Sequence, residues 1–268
     1  MKIDVEVISR EIIKPTTSPH DCYKFSLLDQ VDPSWYLPFI YFYSVDHKTI
    51  NKNEISKNLK TSLSQVLNNY YLLAGNDVNN LVLAVQLNFF NYGGIAIGIH
   101  MSHKIADGSS IITFMKNWAE TACNSNINYI GQKIMGTTMF SPIDYAFDDS
   151  SEYPSEKNII SKRFVFSNSN ISILQVKYIA TSSMESSKIY QSRFKTLPSF
   201  LWSCFTASTE IKKGPKTSYS LASAMNLRKK IDPPLLDDSF GNVSGIVTTM
   251  VSSEDDIKKE GYNYGIVN

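Results

Sequence analysis

His103 is the residue best suited to chemistry by its type and setting. It stands in Ile99-His100-Met101-Ser102-His103-Lys104-Ile105-Ala106-Asp107-Gly108, where an alternating apolar run ends and a helical pattern begins. An imidazole titrates near neutrality, so it can take a proton at cellular pH. At a strand-to-loop edge a fold can hold that ring rigidly and still present it to a substrate. There it can remove the proton of a hydroxyl or amine as that atom attacks a carbonyl. The spacing His-x-x-x-Asp-Gly leaves Asp107 two roles. It can orient the ring, as the acid of a serine hydrolase triad does, or hold the loop through a buried pair with an arginine. Gly108 would let the backbone turn sharply there. The five-residue spacing alone is weak, because it arises often by chance, and His100 on the same run reads as a packing residue.

Other chemistries lack their parts. No Gly-x-Ser-x-Gly elbow occurs, so a serine hydrolase has no nucleophile. No Gly-x-Gly-x-x-Gly or P-loop occurs, which leaves dinucleotide and ATP chemistry without support. The three cysteines, Cys22, Cys123 and Cys204, lie far apart. That odd, sparse set argues against a disulfide framework, fits a reducing compartment and has no metal-ligand spacing. Neither a metal nor a permanently bound cofactor is expected. A formal net charge of +1 gives no reason to expect nucleic acid as a partner. No apolar run approaches the ~20 residues that span a bilayer. The alternating N-terminus reads as a strand and not as a signal peptide. A cytoplasmic chain with no membrane partner is the expectation.

The elements around His103 follow from periodicity. The chain has 268 residues, 43% of them apolar, which suits one large or two modest domains with a buried core. Residues 3–13 read as a strand stopped by Pro15 and a Thr-Thr-Ser-Pro turn, 25–30 as a segment ending in a polar turn, and 37–43 as an aromatic strand. Ile55, Leu59, Leu63, Val66 and Leu67 fall at helical spacing over 54–69. Residues 81–90 and 95–101 form a hairpin about Asn91-Tyr92-Gly93-Gly94. In its second strand Ile95, Ile97 and Ile99 share one face. Ala96, Gly98 and His100 share the other, where small residues suggest close approach to the backbone. A largely buried helix runs from Asp107 to about Cys123.

Residues 124–160 show weak periodicity and are the candidate domain boundary. Beyond them come a strand at 162–166, a helix at 169–180, a Ser-rich stretch at 181–188, and a helix at 197–211 with Pro198 in its first turn. A strand at 217–226, a break at Asp232-Pro233-Pro234, a turn at Phe240-Gly241-Asn242, an apolar run at 243–251 and a polar tail follow. Alternating strands and helices on both sides of a linker predict a mixed α/β or α+β fold.

The ordered motifs resemble those of the plant BAHD acyltransferases. The marks are Ser26-Leu27-Leu28-Asp29-Gln30, Tyr71-Leu72-Leu73-Ala74-Gly75, the hairpin, Ser102-His103-Lys104-Ile105-Ala106-Asp107-Gly108, Lys162-Arg163-Phe164-Val165-Phe166, Ser199-Phe200-Leu201-Trp202, Asn226-Leu227-Arg228, Asp232-Pro233-Pro234 and Phe240-Gly241-Asn242. They run in the family's order over most of the chain. The nearest branch is the one that holds vinorine synthase, salutaridinol acetyltransferase and the acylsugar acyltransferases.

The resemblance implies a chloramphenicol acetyltransferase-like two-domain α/β fold with a channel between the domains. It implies a monomer that uses acyl-CoA as co-substrate and a small-molecule alcohol or amine as acceptor. His103 would be the general base. Asp107 would be structural and paired with Arg228, with Gly108 beside it. Gly241 and Asn242 would lie near the coenzyme A mouth. It also implies that both domains are incomplete. After Gly75 the family usually has an arginine and several dozen residues more, whereas Asn76-Asp77-Val78-Asn79-Asn80 crosses directly to the hairpin. The family's Asp-Phe-Gly-Trp-Gly motif does not occur. The expected layout is an amino-terminal domain at 1–140 with a deletion near 75–81, a crossover at 141–160 and a partial carboxyl-terminal domain at 161–268. The alternative reading is a non-catalytic truncated paralogue or mis-spliced product.

Overall fold

The structure is a computed structural model and describes residues 5–17, 23–32, 34–45, 51–75, 81–91, 93–123, 139–144, 160, 162–181, 192–213 and 219–251. The chain divides into two compact units. One comprises Met1–Glu152 with Asn226–Ser244, and the other comprises Tyr153–Met225 with Gly245–Asn268. Both contain helices and strands, so the fold is mixed α/β.

The first unit is built on an antiparallel sheet of order β1-β3-β2, with β1 at Tyr36–Tyr43, β2 at Leu83–Phe89 and β3 at Ile95–Ser102. Leu37 stands opposite Met101, Phe39 opposite Ile99 and Tyr41 opposite Ile97. On the other flank Val85 stands opposite Ile99 and Leu87 opposite Ile97. Period-two alternation therefore gathers one apolar face from all three strands. Ile97, Ile99 and Met101 are buried there in one core with Leu63, Val66, Ile111, Phe114 and Trp118. The opposite face leaves Ile40, Phe42 and His100 exposed. A Cβ on Gly98 would meet Gln86 at 3.8 Å, an ordinary contact. Gly98 thus marks no unusually close approach, while Ala96 on the same face is buried.

Two helices cover the apolar face. Helix α2 (Lys52–Val66) starts at Asn51, whose side chain accepts the Glu54 amide. Helix α3 (Gly108–Cys123) starts at Asp107, whose carboxylate accepts the Ser110 amide at 2.8 Å. Trp118 Nε1 donates to Ser62 Oγ at 3.0 Å and Asn117 Nδ2 to Tyr70 Oη at 2.6 Å, so both buried polar groups are satisfied. Tyr70 packs edge-to-face on Phe114 and on Phe240, with ring centroids 5.2 and 5.1 Å away. Phe240 brings the distant 226–244 segment into this core.

Four expectations change. Residues 5–13 form no strand; Val5, Val7, Ile8 and Ile12 are exposed. Alternation needs a neighbouring strand, and this segment instead runs beside α2, where Ser64 Oγ donates to the Lys14 carbonyl and Lys60 pairs with Glu11. That pairing holds the Glu11 carboxyl below its usual range. Residues 25–30 contain a helix, α1 (Leu27–Val31), set by a reciprocal cap between Ser26 and Asp29. Residues 162–166 form no strand either; they expose Phe164 and Val165 and lead into helix α4 (Asn168–Thr181), whose Asn170 amide bonds Ser167 Oγ. Helix α5 (Arg193–Lys213) begins earlier than expected because Ser192 caps it, which puts Pro198 in the second turn. The second unit also pairs β4 (Tyr219–Asn226) with β5 (Ser244–Val251). Cys22, the 76–80 junction, most of 124–160, the Ser-rich stretch and the tail lie outside the described residues.

Candidate active site

His103 opens the turn between β3 and α3, and its backbone is gripped on both sides. Its amide donates to the Trp35 carbonyl at 2.9 Å. Its carbonyl accepts Asn242 Nδ2 at 2.6 Å. Asn242 is 1% exposed, and the same nitrogen also donates to Asp29 Oδ1 at 2.9 Å. Asp29 is itself sealed: Oδ2 accepts the Ser26 amide, the Ser26 hydroxyl and the Tyr23 hydroxyl. Burial, and then the Asp29 charge, push the Tyr23 phenol well above its ordinary value, so it stays a donor. The chain Tyr23–Asp29–Asn242 thus fixes the peptide that carries His103.

The imidazole is treated differently. Its side chain is 17% exposed, neither sealed nor free. Nδ1 is buried and lies 3.5 Å from Asp32 Oδ2, within ion-pair reach but without hydrogen-bond geometry. Burial raises the Asp32 carboxyl above its ordinary value; His103 and Lys104 pull it down, and Asp29 and Asp107 push it up.

Asp107 faces away from this ring, into a saturated network. Arg228 meets it as a fork, Nη1 to Oδ2 at 2.8 Å and Nη2 to Oδ1 at 3.1 Å. Oδ1 also takes the Ser110 amide, and Oδ2 the Val243 amide at 3.0 Å. A carboxylate has about four acceptor positions, and four donors occupy them. Arg228 is 0% exposed and spends its remaining donors on Ser239 O, Gly241 O, Ser110 Oγ and Asn226 Oδ1. A buried ion pair survives only when its residual donors and acceptors are filled in this way.

The glycines separate. Gly241 has φ +129° and uses its amide and carbonyl on Ser110 Oγ, so that position favours a residue without Cβ. Gly108 lies outside the left-handed region, and a Cβ there would touch nothing within 4 Å. The turn into α3 is made by the Asp107 cap and does not need glycine. The structure therefore brings His103, Asp107, Arg228, Gly241 and Asn242 into one cluster in the first unit. Sequence reasoning gave no role to Tyr23, Asp29, Asp32 or Ser110. Of these, only Asp29 had a local signal, the Ser-x-x-Asp spacing of a helix cap.

A family model described as the Transferase family matches residues 3–81 and 76–261, two segments that meet at the 76–81 junction. Vinorine synthase of Rauvolfia serpentina is 29% identical over 311 positions, covering 95% of this chain and 72% of that protein. An alignment of 311 positions exceeds the 268 residues here, so the relative carries segments without counterpart. Salutaridinol 7-O-acetyltransferase of Papaver somniferum is 29% identical over 322 positions, covering 92% of this chain and 67% of that protein. The crystal structure of vinorine synthase superposes with a TM-score of 0.79 at 27% identity, over 92% of this chain and 71% of that one. The F. graminearum TRI101 structure, complexed with coenzyme A and T-2 mycotoxin, shares the fold at a TM-score of 0.67 and 13% identity, over 89% and 71% of the two chains.

Proposed function

The chain belongs to the Transferase (BAHD) family, whose plant relatives are acyltransferases of specialised metabolism, and we propose from this premise that it moves an acyl group from coenzyme A to an alcohol or amine of a small molecule. His103 is the general base. Its Nε2 takes the acceptor's proton as the acceptor oxygen or nitrogen attacks the thioester carbonyl carbon. The resulting tetrahedral adduct breaks its C–S bond, and the imidazolium returns the proton to the departing thiolate. The observation that carries this reading is the asymmetry at His103: its backbone is locked by Trp35 and Asn242, while its ring keeps partial exposure. A locked backbone with an approachable ring is what a positioned base requires.

Asp107 and Arg228 act as the buried strut that holds the β3–α3 turn to the 226–244 segment, and Gly108 begins the helix behind it. Gly241 and Asn242 are assigned to the coenzyme A side. The layout proposed is an amino-terminal domain shortened near 75–81 and part of a carboxyl-terminal one, acting as a monomer in the cytoplasm without a resident cofactor. Purified chain incubated with acetyl-CoA and a panel of alcohols and amines tests the reaction. Release of free thiol, with an acceptor heavier by one acetyl group in mass spectrometry, is expected. A folded chain that forms no acetylated acceptor contradicts the reading.

A further inference from the structure

We propose that Asp32 is the positioning residue for His103, its carboxylate facing Nδ1 so that Nε2 is left as the basic nitrogen. For its catalytic consequence this rests on the acyl-transfer reading; the pairing itself stands on geometry.

Three observations converge. Asp107 cannot serve, because Arg228, the Ser110 amide and the Val243 amide occupy its oxygens. His103 Nδ1 is buried with no hydrogen bond, and the carboxylate oxygen that faces it, Asp32 Oδ2, lies at 3.5 Å. Helix α1 reaches His103 from both ends. Asp29 in its first turn holds Asn242 and through it the His103 carbonyl. Asp32 caps its far end, with its amide bonded to the Leu28 carbonyl. The element that fixes the His103 peptide therefore also carries the acid facing its ring. Closing the gap by about 0.7 Å gives a charge-assisted bond of ~2.8 Å. Catalytic contacts commonly tighten in this way once substrate binds.

The charged groups around the pair are Asp29, Asp107 and Lys104. Asp29 is taken up by Tyr23, Ser26 and Asn242, Asp107 by Arg228, and the Lys104 ammonium lies 3.4 Å from the Gln30 carbonyl. Burial disfavours the Asp32 charge, and a new positive charge on the ring offsets that penalty. The carboxylate thus favours the imidazolium formed during transfer over the neutral ring that precedes it. The acceptor's proton goes to Nε2 and from there to the coenzyme A sulfur. Nδ1 keeps its own proton, and Asp32 stays ionised throughout.

Long-range 1H–15N correlation spectra of the full chain, with His103 assigned by His103→Gln, test this directly. The neutral ring is expected to carry its proton on Nδ1. Asp32→Asn is expected to lower the His103 pKa by about one unit, while exposed His100 does not move. In turnover, Asp32→Asn lowers kcat and moves the acid limb of the pH profile downward, and Asp32→Glu restores part of both. A neutral His103 ring protonated on Nε2 in the unmutated chain overturns the proposal, and that readout needs no Asp32 variant to fold. An unchanged His103 pKa in Asp32→Asn also overturns it, even if the chain is active. If the spectra show the pairing but no acceptor is acetylated, Asp32 keeps its place and the acyl-transfer reading falls.

Discussion

Around His103 two acids do opposite work, and each makes a prediction. Asp107 lies inside a closed set of bonds with Arg228, so removing it strands a guanidinium that is 0% exposed. Asp107→Ala is expected to cost about 3–5 kcal/mol, read as a lower midpoint in urea unfolding. An unchanged midpoint would show that the pair is not the strut described. Asp32 carries a penalty instead, since burial raises its carboxyl above the ordinary value. Between the ordinary and the raised value the folded chain binds more protons than the unfolded one, so stability falls as pH rises through that window. Asp32→Asn removes this burden. The variant is expected to unfold at higher urea than wild type at pH 7, with the difference shrinking as pH falls through that window and gone below a pH of about 4. A lower midpoint at pH 7 contradicts that sign. The two roles open to Asp107 from spacing alone are separated only by counting donors, and three of those four donors arrive from Arg228 and Val243, more than a hundred positions away.

At the scale of elements, the hairpin turn is constrained by its glycines. Gly93 and Gly94 have φ of 92° and 94°, and a Cβ on Gly94 would lie 3.2 Å from the Tyr43 carbonyl oxygen. Gly94→Ala is expected to cost ~1–3 kcal/mol in a denaturation curve, and a neutral result would mean that the turn relaxes without strain. The hairpin, β1, α2 and α3 were legible because each carries an apolar period that meets one shared core. The segments 5–13 and 162–166 read as strands too, but among the described residues no strand pairs with them, and sequence pattern cannot report a missing partner. Helix α1 was missed for the opposite reason: five residues are too few to show a period. Only its cap betrays it.

For the whole molecule, the first unit is completed by chain that comes after most of the second. Asn226–Ser244 supplies Arg228, Phe240 and Asn242 to residues that precede Glu152. A chain ending at Met225 leaves Asp107 and Asp29 buried without those partners. It is expected to lose its cooperative thermal transition in circular dichroism, whereas a chain ending at Val251 keeps it. Equal transitions would show that the late segment does not complete the core. Mixed α/β architecture was readable from the alternation of elements, and the residues that cluster with His103 in the structure stand in the ordered motifs. The relays through Asn242 and Asp32 were not, because they join positions with no shared local pattern.

The central claim is that His103 is the base of an acyl transfer. Acceptor-dependent thiol release from acetyl-CoA, measured side by side on wild type and His103→Ala, tests it most directly. Release by wild type and a fall of roughly 10²–10⁴-fold in the variant are expected, with the two circular dichroism spectra superimposable. Undiminished release by His103→Ala, or none by a folded wild-type chain with any acceptor, would contradict it.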